Sequence, residues 1–162
     1  MEALMTDSAV TRYEVEARVV RRGVSVGAAK TSEIVFDSSR EQSDSLPGPA
    51  ELLALSFAAC VLKNVERFSE LISFRYEGAD IHVEAEREDD PPRFVRIRYT
   101  LRLRTDERPS RVDLLQRNLR KFGTVYNTLA GACEISGDIA AGPEAAEAFA
   151  ETPAAPSDQS SF

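Results

Sequence analysis

Histidine, cysteine and tryptophan are scarce in these 162 residues: one histidine, two cysteines and no tryptophan. With His82 alone, a histidine-rich metal centre is excluded, and a Ser-His-Asp triad would have to be built on that one residue. Cys60 and Cys133 stand far apart and form no C-x-x-C pair, so no disulfide framework is legible, and free thiols are expected. Long apolar runs are missing too. The longest, Leu52 to Leu62, is interrupted by Ser56 and falls short of the about 20 residues that span a bilayer. No basic segment followed by an apolar stretch opens the chain, so a cytoplasmic location away from the membrane is expected. No P-loop, G-x-G-x-x-G or H-E-x-x-H occurs. Positive charge is in deficit, with 20 basic against 27 acidic residues and a net charge of −7. That balance argues against a general nucleic-acid binder, which needs a basic surface for phosphates.

What is present fits a globular domain. The chain is 43% hydrophobic and 29% charged, and its length suits one domain with a sizeable core. Residues 1–10 read as a loose lead-in, 11–139 as the folded domain and 140–162 as an acidic tail rich in Ala, Pro and Ser, predicted to be disordered. Residues 141–162 carry four acids and no base, which leaves −3 for the rest.

Within the domain, Tyr13, Val15, Ala17 and Val19 alternate with polar residues, the period of a half-buried strand. Val24–Val26 and Glu33–Phe36 read as two further strands, with turns at Arg22-Gly23 and Ala29-Lys30-Thr31. Asp37 to Gly48 is polar and aperiodic, a loop long enough to invite a functional reading. Pro47-Gly48-Pro49 then opens a helix running to about Ile72, with proline in the first turn and Glu51 where the helix dipole favours an acid. Its first half, to Leu62, is apolar nearly all round. That half is expected to run through the centre of the molecule or under a second subunit.

A hairpin follows. Ile81, Val83 and Ala85 are predicted inward on one strand, and Val95, Ile97, Tyr99, Leu101 and Leu103 on the next. This register sets Arg96, Arg98, Arg102 and Arg104 on the outer face beside His82, Glu84, Glu86 and Glu88. The arginine stripe is therefore read as surface ion pairing rather than phosphate binding, and His82 as solvated. Ser110 to Phe122 is an amphipathic helix, with Ser110 and Asp113 resembling a capping pair and Gly123 a left-handed cap. Thr124 to Leu129 is a short second helix. Ala132 to Ile139 is a last strand, with Cys133, Ile135 and Ile139 on one face.

A cysteine inside an apolar helix is, on composition alone, a core residue, because burial without a positive neighbour keeps a thiol protonated. Two segments change that reading of Cys60. Pro49-Ala50-Glu51-Leu52-Leu53-Ala54-Leu55-Ser56-Phe57-Ala58-Ala59-Cys60 resembles the signature helix of the OsmC/Ohr family, the osmotically inducible and organic hydroperoxide resistance proteins. Phe122-Gly123-Thr124-Val125-Tyr126-Asn127-Thr128-Leu129 resembles the family's second segment, Cys-x-Val-Tyr-Asn-Thr-Leu. The order β-β-β, long helix, β-β, helix, β agrees, and the resemblance covers about residues 11–139.

The resemblance implies an α+β fold in which antiparallel sheets wrap a long central helix in an intertwined homodimer. It also implies a peroxidase of oxidative-stress defence that uses neither cofactor nor metal. Cys60 matches the cysteine that attacks an organic hydroperoxide, with a thiol reductant as the second partner. The family's second cysteine falls at Gly123, which has no thiol, so Cys133 is left as a candidate resolving thiol. Reactive members place a glutamate ten residues before the cysteine. Here that position is Ala50, and Glu51 stands one step later. Nine residues of straight helix set Glu51 on the side opposite Cys60 and about 13 Å along the axis. The family arginine that activates the thiol matches Arg21 or Arg22. The alternative is a non-catalytic OsmC-like protein that binds a small apolar molecule at the dimer interface.

Overall fold

Period-two hydrophobicity and turn residues build the first part of the chain. The computed structural model describes residues 10–145. Strands β1 (Glu16–Arg21), β2 (Val24–Ala29) and β3 (Ser32–Asp37) form an antiparallel meander in that order. Gly23, at φ 80°, makes the first turn, a backbone state that only glycine adopts without strain. The strand predicted from Tyr13 begins at Glu16, and every residue of β1 is exposed. Tyr13, Val15 and Val19 are exposed with it, so the half-buried strand is not observed among the described residues. Periodicity identifies an apolar face but not what covers it.

The loop after β3 is held by one carboxylate. Asp37 accepts hydrogen bonds from the Ser39 backbone N–H at 2.8 Å, the Ser39 hydroxyl at 2.6 Å and the Ser43 backbone N–H at 2.9 Å. The Ser39 side-chain bond, then the two backbone bonds, hold its carboxyl below the ordinary carboxylate range. Helix α1 (Pro49–Leu71) starts as the sequence predicts, with Glu51 Oε2 accepting from the Gly48 backbone N–H at 3.0 Å. A third-position glutamate reaching back to the N-cap satisfies a donor that the helix leaves orphaned.

The chain divides into two compact units, Met1–Leu52 and Leu53–Phe162. In the second, α1 buries Phe57, Val61, Val65 and Phe68 along one face. Leu55 is 59% exposed, and Ser56 and Ala59 are exposed with it. Within the second unit, the apolar half of the helix is therefore not fully enclosed by the described residues.

Strand β4 (Gly78–Asp89) pairs antiparallel with β5 (Pro92–Arg104), and β5 buries Ile97, Tyr99, Leu101 and Leu103 against α1. The predicted outer register is present: Glu84 faces Arg98 and Glu86 faces Arg96 across the strands. Arg96 bonds Glu86 at 2.8 Å, and Arg102 bonds Asp80 at 2.6 Å. His82 is on this exposed face, 3.6 Å from Glu84. Ala85, predicted inward, is exposed.

Helix α2 (Pro109–Phe122) begins one residue before Ser110, with Arg108 as an N-cap that makes no side-chain bond. Proline presets the first helical position, which moves Ser110 inside the helix, so the Ser110–Asp113 capping pair does not form. Gly123 is extended, at φ −77° and ψ 116°, because it serves at once as the end of α2 and the N-cap of α3 (Thr124–Ala130); the left-handed cap is absent. Strand β6 (Glu134–Gly142) starts after Cys133 and runs past 139 to Gly142, so residues 140–142 belong to a strand rather than to the tail. It pairs parallel to β5, which corrects the expectation of antiparallel sheets at this one strand pair. A connection long enough to hold α2 and α3 permits a parallel return. Residues 1–9 and 146–162, expected to be loose, lie outside the described residues.

Candidate functional site

The apolar stripe that docks α1 onto β5 also positions Cys60. Its thiol is free and half-buried. One turn further on, the side chain of Asn64 is buried among that stripe. Its Nδ2 donates to the Cys60 carbonyl at 2.9 Å and lies 3.7 Å from Cys60 Sγ. Sequence reasoning missed Asn64. The available signal was a polar residue one turn after the cysteine, on the same face as Phe57, Val61, Val65 and Phe68.

The other neighbour of the sulfur is Gly123. A Cβ placed there would sit 3.3 Å from Cys60 Sγ, 3.3 Å from the Leu119 carbonyl oxygen and 2.9 Å from Tyr126 Cβ. Packing rather than backbone conformation explains this glycine, since its φ is one that any residue adopts. The two segments singled out in the sequence thus meet at one sulfur.

Cys133 sits elsewhere in the second unit. Its Sγ–H donates to the Leu129 carbonyl at 3.4 Å, and burial pushes its thiol up. It is free, as Cys60 is, so no disulfide joins the two. Arg21 ends β1 and Arg22 occupies the following turn, both in the first unit. Both are exposed and without a side-chain partner among the described residues. Glu51 is also in the first unit, where its carboxylate is held by Gly48 N–H and, at 3.4 Å, by Gln42 Nε2.

Aromatic rings connect the neighbourhood of Cys60 to a cavity. Phe57 packs on Tyr99 at 5.5 Å and on Tyr126 at 5.7 Å between ring centroids. Tyr99 and Tyr126 line a cavity of about 480 Å³ together with His82, Glu84, Arg98 and Arg120. Burial pushes both phenols above their ordinary range, against the nearby Arg120. Tyr99 also presses on Gly137, where a Cβ would come within 2.3 Å of the ring. Among the described residues no cluster of three His, Cys, Asp or Glu could hold a metal, and no helix is long and apolar enough to cross a membrane.

These features define an α+β protein whose long helix presents one thiol to a bare glycine at the entrance of the short third helix. The chain belongs to the OsmC-like protein family, whose model matches residues 42–137. The fold is shared with solved structures of low identity. An OsmC-like protein from Mycoplasma pneumoniae superposes with a TM-score of 0.74 at 15% identity, over 81% of this chain and 97% of its own. An OsmC-like protein of unknown function from Vibrio cholerae gives 0.70 at 8% identity, over 81% and 100%. An organic hydroperoxide resistance protein from Legionella pneumophila gives 0.65 at 14%, over 82% and 99%. No curated protein matches the chain.

Proposed function

We propose that this chain is an OsmC-type thiol-dependent peroxidase that reduces organic hydroperoxides through Cys60. The observation that carries the reading is the approach of position 123 to the Cys60 sulfur, 3.3 Å from a Cβ placed there. The two positions that hold cysteines in the family pattern are adjacent here, and the attacking one is retained.

In this mechanism the Cys60 thiolate attacks one oxygen of the hydroperoxide. The O–O bond breaks, the alkoxide leaves and takes a proton to become the alcohol, and the sulfur becomes a sulfenic acid. Glycine at 123 supplies no thiol, so an external thiol attacks the sulfenic sulfur, releasing water and forming a mixed disulfide. A second external thiol displaces Cys60 and carries away the disulfide. Arg21 or Arg22 is the cation assigned to the thiolate, and Glu51 is assigned to the start of the catalytic helix rather than to chemistry. The working unit is a homodimer, and the exposed apolar residues Tyr13, Val15, Val19, Ile34, Val35 and Leu55 support it.

Consumption of cumene hydroperoxide with a dithiol tests the reading. Turnover lost in Cys60→Ser and kept in Cys133→Ser supports a one-cysteine enzyme resolved from outside. Loss in both variants would make Cys133 the resolving thiol. No turnover in the wild type would refute the peroxidase reading.

A second reading is favoured by Gly123 and Ala50, which stand where reactive members carry the second thiol and the glutamate. It makes the chain a non-catalytic binder of a small apolar molecule at the dimer interface. Thermal stabilisation across a panel of apolar compounds, which binding to the folded state requires, distinguishes it.

A further inference from the structure

We propose that Asn64 is a positioning residue for the reacting thiol, its side-chain amide donating a hydrogen bond that favours and orients the Cys60 thiolate. The inference rests on reading Cys60 as the reacting sulfur and adds the group that prepares it. Asn64 is 8% exposed, on a helix face otherwise lined by Phe57, Val61, Val65 and Phe68. Burying an amide in such a stripe is costly unless its polar atoms are bonded. Its Nδ2 lies 2.9 Å from the Cys60 carbonyl and 3.7 Å from Cys60 Sγ. An amide nitrogen carries two protons, so the carbonyl and the sulfur can each accept one.

A bond back to the preceding turn does not by itself require this setting. Asn118 makes the same bond to the Leu114 carbonyl, at 3.0 Å, from a half-buried position on α2 with no sulfur beside it. What distinguishes Asn64 is its deep burial and the thiol as second acceptor. A donor aimed at sulfur favours the charged form over the neutral one. It also restrains Sγ, whose other neighbour is the closely packed Gly123 backbone.

The test uses the full chain carrying Cys133→Ser, so that only Cys60 is read. Asn64→Leu removes the donor at similar volume, Asn64→Asp replaces it with a carboxylate of the same shape, and Asn64→Gln keeps an amide. Two readouts are taken at one neutral pH: the thiolate absorbance near 240 nm and the rate of alkylation by iodoacetamide. A circular-dichroism melt checks the fold. Leu and Asp variants should lose about tenfold in alkylation rate, the low end of what one hydrogen bond to a charged group is worth. The 240 nm band should fall in step, and the Gln variant should keep most of both. Folded Asp and Leu variants that alkylate within about twofold of the parent would overturn the proposal. So would a Gln variant that falls as far as Leu, since Asn64 would then act by packing alone. If Leu does not fold, Asp and Gln decide between the same outcomes. Hydroperoxide consumption, measured separately with Cys133 in place, keeps the two claims apart. A wild type that does not turn over sinks the peroxidase reading, while the alkylation series still decides the role of Asn64.

Discussion

Placing a cysteine at position 123 should create an in-chain disulfide with Cys60. A Cβ at that position lies 3.3 Å from Cys60 Sγ, and in a relaxed disulfide each Cβ sits about 3 Å from the far sulfur. Only a few tenths of an ångström separate the two. The opposing contact is Tyr126 Cβ at 2.9 Å, so reduced Gly123→Cys should lose about 1–3 kcal/mol through crowding. Oxidation closes a loop of 63 residues, which in the chain-entropy account is worth about 4 kcal/mol. For a chain of this size each kcal/mol moves Tm by about 2–4 °C. The oxidised variant should therefore melt about 10 °C above its own reduced form. Thiol titration under denaturing conditions should find one free thiol, that of Cys133, and the intact mass should fall by two hydrogens. Gly123→Ser isolates the crowding. Three free thiols after mild oxidation, in a variant that melts like Gly123→Ser, would refute the placement of Gly123 against Cys60. If the peroxidase reading is also right, one equivalent of hydroperoxide should generate the same disulfide.

Gly137→Ala should cost about 3 kcal/mol or fail to fold, because a Cβ there meets the buried Tyr99 ring at 2.3 Å; a denaturation midpoint equal to wild type would contradict this packing. The Tyr76 phenol, bonded to Glu66 and partly buried, is pushed up to about 12. A group raised in the folded state stabilises it fully below the unfolded value, near 10. That contribution fades as pH climbs from about 10 towards about 12, so absorbance at 295 nm should show late phenols, of which Tyr76→Phe removes one. Asp37 is shifted the other way, chiefly by the Ser39 hydroxyl. Its contribution is complete above the ordinary carboxylate value of 3.8 and is lost as pH falls through the lowered one. Asp37→Ala should remove this acid dependence and speed amide exchange across residues 37–48; unchanged exchange would mean the loop is held by other contacts.

The local elements were legible because local physics decides them. Pro49 and Glu51 mark the start of α1 through a missing donor and a dipole, and the helix begins there. The alternation in β5 sorts its aliphatic residues inward and its arginines outward, and the partner strand supplies the matching acids. The two segments around Cys60 and Gly123 carried the family.

Longer-range relations were not legible. Alternation marks Val15 and Val19 as one apolar face, but what covers that face depends on surfaces far away in sequence, and among the described residues it stays exposed. The parallel return of β6, the extended state of Gly123 and the burial of Asn64 all depend on how α2 and α3 pack against α1 and β5. By itself the sequence determined most of the elements, the charged face and the two family segments, since each follows from neighbours within a few residues or from a motif. Only the tertiary structure decided that position 123 meets the Cys60 sulfur and that Asn64 points at it, because those contacts come from packing between elements and side-chain direction, which neither period nor composition encodes.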